Sequence, residues 1–163
     1  MRDSNFVRRG GLWVLAQFVL IPVLAAIVLF ARQAGWERAW SMPFAVLGQG
    51  AGLTIALGAG VLLLTAVAHL GSNLTPFPRP LDNSTLVDTG AYGIVRHPIY
   101  TAIILALFGL ALFANSVLGL IFSLGVFAFF NRKAAYEEHM LEHRYPRYSD
   151  YRKRVKKLIP FVY

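Results

Sequence analysis

Cysteine is absent from this chain, which excludes disulfides, thiolate nucleophiles and thiolate-held metals. Acidic residues are scarce, 8 Asp and Glu against 16 Lys and Arg, for a net charge of +8. Charge of either sign is missing from residues 10–31, 39–78 and 97–131. No polar linker therefore separates two soluble modules, and residues 1–163 read as a single membrane domain. The basic excess does not point to nucleic acid, because Lys and Arg sit at the ends of apolar stretches, where they orient a chain in a bilayer. Hydrophobic residues make up 56% of the sequence, a share that suits a membrane protein better than a soluble domain of this size.

The uncharged stretches predict an all-α membrane protein with about four transmembrane helices. The first span covers 13–31, close to the roughly 20 residues needed to cross hydrocarbon and longer than the core of a cleaved signal. The second covers 42–70, which as a helix measures roughly 44 Å and must tilt or protrude. Its Gly48 and Gly52, followed by Ala56 and Gly60, have the small-residue spacing that lets a neighbouring span approach closely. Residues 99–131 are too long for one span and are broken at Ala114-Asn115-Ser116. They read as a short hairpin, 99–114 and 116–131, that either crosses the bilayer or re-enters it.

Arg2, Arg8 and Arg9 precede the first span, and nine basic residues follow Phe130. The positive-inside bias places both termini and the polar segments 71–98 and 132–163 in the cytosol, with Trp36 and Trp40 at the outer interface. Residues 71–98 are stiffened by Pro76, Pro78 and Pro80, turn at Thr89-Gly90, and end in Arg96-His97-Pro98, where Pro98 suits the first turn of a helix. In the tail, Lys133 and Glu137 have the spacing of an i,i+4 ion pair. Tyr145, Tyr148, Tyr151 and Val155 recur at helical spacing among basic residues, which predicts a cytosolic amphipathic C-terminal helix lying on anionic headgroups. His69, His139 and His143 lack the remainder of a ligand set, so no metal is expected.

Two dense polar segments on one side of a membrane protein are the natural place for chemistry. Their residues resemble the integral-membrane methyltransferases related to isoprenylcysteine carboxyl methyltransferase and to phospholipid methyltransferases. The likeness rests on Ser84-Thr85-Leu86-Val87, Thr89-Gly90-x-Tyr92, Arg96-His97-Pro98-x-Tyr100, a short apolar hairpin, Glu137-Glu138-x-x-Leu141, Tyr148-x-x-Tyr151, and Val155 with Ile159-Pro160. It implies S-adenosylmethionine-dependent transfer to a lipidic or hydrophobic acceptor, a carboxylate or an amine, at the cytosolic face of what would be a prokaryotic cytoplasmic membrane. Membrane lipids would be its partners.

By position, the resemblance implies a cofactor site made by Ser84, Thr85, Leu86, Val87, Tyr92, His97, Pro98, Ile99, Tyr100 and Glu137. It implies catalytic parts for Arg96, Arg132, Lys133 and Glu138. Lys133 stands where relatives place an arginine facing the acceptor, which exchanges a two-pronged grip for a point charge. Ala102 replaces a common glycine. An NADPH-dependent membrane reductase of the sterol-reductase type, and a scaffold without catalysis, are the competing readings.

Overall fold

The computed structural model describes residues 10–33, 40–79 and 83–163. Arg2, Arg8, Arg9 and Trp36, on which part of the orientation rests, lie outside the described residues. The described residues are helical and contain no strand. Helix α1 spans Gly11–Gln33 and α2 spans Phe44–Leu70, which runs into a single 3-10 turn, Gly71–Asn73. A short α3, Ala91–Ile94, precedes α4, Pro98–Phe113. Helix α5, Val117–Arg144, leads to α6, Tyr148–Arg154.

Two segments, Phe44–Asn73 and Val117–Arg144, are long and apolar enough to cross a membrane, while Gly11–Ile27 and Pro98–Phe113 are shorter apolar helices. Leu12, Phe18, Leu47, Leu57, Leu64, Ile121 and Leu124 are exposed on these helices. In water such a surface would aggregate, whereas in lipid it is the solvent-facing side.

Helix α2 packs principally on α4, and glycine makes that possible. A Cβ at Gly52 would lie 2.4 Å from the Phe113 nitrogen and 2.5 Å from the Gly109 oxygen; one at Gly109 would lie 2.8 Å from both the Gly52 oxygen and the Ala56 nitrogen. The small-residue spacing thus serves packing within the molecule at Gly48, Gly52 and Ala56. Gly60 faces open space, because 3.6 residues per turn rotate it off the contact side.

The break in the hairpin falls where the polar residues predicted it. Asn115 takes a positive φ of 52°, which asparagine tolerates better than branched residues. Ser116 then caps α5 by accepting a hydrogen bond from the Gly119 N–H at 2.8 Å. Helix α5 continues without a break beyond Asn131 to Arg144, in keeping with the shared helix face read for Lys133 and Glu137, so the membrane-side helix itself carries the first polar residues of the tail. One expectation for the tail is corrected. The predicted amphipathic surface helix shrinks to α6, and its aromatic side faces the protein. Tyr148, Tyr151 and Val155 are buried against Leu86, Leu141 and Tyr145, because the 84–87 segment offers a closer apolar partner than a headgroup layer.

Beyond α6 the chain is extended and folds back beside the residues that enter α4. Val95 and Lys156 form an isolated parallel bridge. The Arg96 N–H donates to the Lys156 carbonyl at 2.8 Å and the His97 N–H to the Lys157 carbonyl at 3.1 Å. The Thr101 hydroxyl donates to the Leu158 carbonyl at 2.8 Å. These bonds bring the two polar segments together on one side of the helices.

Candidate active site

The turn at Thr89-Gly90 sets the entry to the site. Gly90 has φ +60°, and a Cβ there would stand 2.1 Å from His69 Nε2. Only glycine combines that backbone with that contact. Tyr92, on α3, packs with Ala66 and Ala91 against Leu62, Leu70, Val87 and Ile99, so the turn, α2 and the start of α4 share one apolar cluster. Pro98 is at the first turn of α4, as its missing N–H favours. His97 and Arg96 are thereby held just ahead of a rigid helix.

Glu138 is the hub of the ion network and is 3% exposed. Its Oε1 receives the Arg96 Nε–H at 2.8 Å and faces His97 Nε2 at 3.0 Å. Beside a guanidinium the carboxylate is ionised, so His97 donates from Nε2. Arg96 donates also to the backbone carbonyls of Arg152, at 3.2 Å, and Val155. These are tail residues. A buried charge is tolerable only with partners of this number and quality.

One residue earlier, Glu137 Oε2 accepts from the Tyr100 hydroxyl at 2.7 Å and lies 3.8 Å from His97 Nδ1. The rings of His97 and Tyr100 stack at 5.4 Å, and those of Tyr100 and Phe130 at 4.8 Å. Lys133, 1% exposed, does not form the predicted ion pair with Glu137 among the described residues. Its ammonium donates to the Gln17 amide oxygen and to the Pro76 carbonyl at 3.4 Å, and lies 5.1 Å from the centre of the Tyr100 ring.

These groups surround a cleft of about 270 Å³, near the lower end of the roughly 300–1,000 Å³ of small-molecule sites. Of the residues singled out in the sequence, Ser84, Thr85, Leu86, Val87, Tyr92, Arg96, His97, Ile99, Tyr100, Lys133 and Glu137 line it. Pro98, Glu138 and Arg132 are not among the lining residues: Pro98 and Glu138 are buried behind the wall, and Arg132 is exposed. Ala102 is buried and also stands off the cleft.

Among the lining residues that sequence reasoning missed, three bear on the chemistry of the cleft. Gln17 arrives from α1, and its signal was its place as the lone amide in an apolar run. Tyr145 ties Ser84 down, its hydroxyl 2.7 Å from the serine hydroxyl and donating to the Ser84 carbonyl at 2.8 Å. Tyr148 lines the cleft, yet its buried hydroxyl has no hydrogen-bond partner among the described residues. Burial holds the phenols of Tyr92, Tyr148 and Tyr151 well above the ordinary tyrosine value, so they stay neutral. Tyr151 donates to the Tyr92 carbonyl at 2.6 Å. His139 and His143 are exposed, and no group of three metal-ligating side chains occurs among the described residues.

Comparison with known proteins places the chain among membrane methyltransferases. The chain is 30% identical over 148 residues to protein-S-isoprenylcysteine O-methyltransferase B of Arabidopsis thaliana, covering 88% of this chain and 72% of the plant protein. It is 30% identical to a cobalt-zinc-cadmium resistance protein of Cupriavidus metallidurans, covering 96% and 67% of the two chains. A solved eukaryotic intramembrane Ras methyltransferase, isoprenylcysteine carboxyl methyltransferase, shares the fold with a TM-score of 0.64 at 22% identity, covering 99% of this chain and 53% of that one. The chain thus spans about half the length of that structure. Residues 48–148, which hold most of the cleft and more than half of the sequence, match the family model described as phospholipid methyltransferase, and the chain belongs to that family of membrane methyltransferases, with isoprenylcysteine methyltransferases among its relatives.

Proposed function

We propose that the protein transfers a methyl group from S-adenosylmethionine to a lipidic or hydrophobic acceptor at the cytosolic interface. The observation that carries this reading is the convergence of 84–87, His97, Tyr100 and Glu137, from distant parts of the chain, on one cleft. The cleft suits such a donor. It offers an apolar bed in Leu86, Val87 and Ile99, a carboxylate in Glu137, and in Tyr148 a buried hydroxyl still wanting a partner. Bound there, the donor supplies a methyl group already activated on a sulfonium.

The chain's own residues then have to align and shield. Tyr100 holds one oxygen of Glu137 and leaves the other for a hydroxyl or ammonium of the donor. Arg96 at the wall and Glu138 behind it fix His97 and the tail. Lys133, with Tyr100 beneath it, faces the acceptor end, and the apolar helices admit the acceptor from the bilayer. Alignment of two reactants in this way is worth several powers of ten in rate. An ionised carboxylate acceptor needs no base. An amine acceptor would need one to take its proton.

The reading extends to a single membrane domain over 1–163 with four crossings, both termini cytosolic, in a prokaryotic cytoplasmic membrane. Its test is binding of labelled S-adenosylmethionine to purified protein, followed by incubation with total membrane lipid. Binding that disappears with Glu137→Ala, and label in a lipid fraction, support it. Oxidation of NADPH without donor binding would replace it with the reductase reading.

A further inference from the structure

Building on that reading, we propose that Gln17 is a specificity-determining residue: with Lys133 it recognises an oxyanion next to the atom that is methylated. Gln17 lies on α1, outside the residues 48–148 shared with the family, and is the one side-chain amide in the apolar run 13–31. An amide at such a position is costly unless paired. Its partner is the Lys133 ammonium.

An ammonium can only donate, so the amide must present its oxygen to Lys133. The Gln17 NH₂ is thereby left as a donor, with no partner among the described residues, on a residue that lines the cleft. The ammonium stands over the Tyr100 ring, and the Gln17 amide is bonded to it at the wall of the same cleft. Of the nearby carboxylates, Glu138 is held by Arg96 and His97, while Glu137, whose charge reaches Lys133, is bonded to Tyr100 and makes no ion pair with that ammonium among the described residues. A purely cationic headgroup would meet an ammonium here, whereas an oxyanion would meet two donors. Attachment of α1 to α5 does not need this pair, since Trp13 already packs on Phe129 and Tyr136, with ring centres 5.5 and 6.1 Å apart.

The oxyanion could be a carboxylate that is itself methylated or a phosphate beside an amine. The test uses the full chain in lipid-detergent micelles with labelled donor and three acceptors: a long-chain N-acyl amino acid, phosphatidylethanolamine, and a long-chain primary amine lacking any oxyanion. Gln17→Met removes the NH₂ with little change of shape, and Gln17→Glu places a competing carboxylate on Lys133. The expected result is a KM for the oxyanion-bearing acceptor raised about tenfold by Gln17→Met, the size of one hydrogen bond to a charged group, and more by Gln17→Glu. The donor's Kd should stay within about twofold, which also reports that the variants fold. Transfer to the N-acyl amino acid identifies a carboxylate, and transfer to phosphatidylethanolamine alone a phosphate. Equal changes for every acceptor, or a wild-type preference for the simple amine, overturn the inference. Failure of the wild type to bind donor overturns instead the reading beneath it.

Discussion

Arg96 Nε and Glu138 Oε1 meet at 2.8 Å although 42 residues separate them in the chain, and the same guanidinium reaches two carbonyls of the tail. The pair is a keystone between the loop, α5 and the tail. Glu138→Ala strands a buried guanidinium and should cost about 3–5 kcal/mol, since the loss of one partner of a buried pair exposes the full desolvation of the other. Thermal unfolding in detergent measures it. A change below about 1 kcal/mol would mean the pair is solvated.

Gly52 and Gly109 set the distance between α2 and α4. Gly52→Ala should destabilise by about 1–3 kcal/mol, because the backbone of α4 stands where the methyl would go. Gly58→Ala, with nothing within 4 Å of its added carbon, should be neutral or slightly stabilising. Parallel melting curves decide this, and equal effects would refute the packing.

At the Gly90 turn two penalties coincide. Gly90→Ala meets both a positive φ and the His69 ring. His69→Ala in the same chain should relieve the second and leave the first, about 1–2 kcal/mol for a non-glycine residue in this region. A double-mutant cycle on unfolding free energy should therefore show coupling; strict additivity would show that the ring moves aside freely.

The Tyr148 hydroxyl is buried without a partner among the described residues. Tyr148→Phe should leave stability unchanged or raise it, as removing an unsatisfied polar atom costs nothing. Donor affinity should nevertheless fall about fivefold if, as proposed, that hydroxyl binds the donor, a change of about 1 kcal/mol. Isothermal titration with S-adenosylmethionine gives the answer, and unchanged affinity removes Tyr148 from the site.

The raised phenols predict alkaline sensitivity. In the unfolded chain Tyr148 and Tyr151 lose their protons around the ordinary value of 10.0, while in the folded protein burial keeps them protonated. Above about pH 10 the unfolded state therefore binds fewer protons, and stability falls as pH rises. Below that pH their contribution is fully present. Tyr148→Phe should flatten the decline above pH 10, and an unchanged slope would show that the phenol titrates normally in the fold.

Local signals made several parts of the molecule legible in the sequence. The Asn115-Ser116 break, Pro98 at the start of α4 and the Thr89-Gly90 turn each follow from the backbone preference of one or two residues. Part of the cleft was legible too, because the family resemblance carried 84–87, His97, Tyr100 and Glu137 together, while the 73–78 stretch that also lines it carried no such signal. Long-range pairings were not. The Val95–Lys156 bridge joins two short extended pieces with no periodicity, and the Lys133–Gln17 bond replaced a local pairing with Glu137 that spacing favoured. The periodic tyrosines were real, but periodicity does not tell a face turned to lipid from one turned to the protein.

The extended tail fixes the order in which the protein can mature. Arg96 and Val155, which its carbonyl anchors, are 59 positions apart, and the α4–α5 hairpin is made between them. At roughly 5–20 residues per second that interval lasts about 3–12 s on the ribosome. During it the half-built pocket has lipid-facing walls but no floor. A chain halted at the insertion machinery in that window carries Arg96 and His97 but lacks the Arg152 and Val155 carbonyls that hold the guanidinium in place.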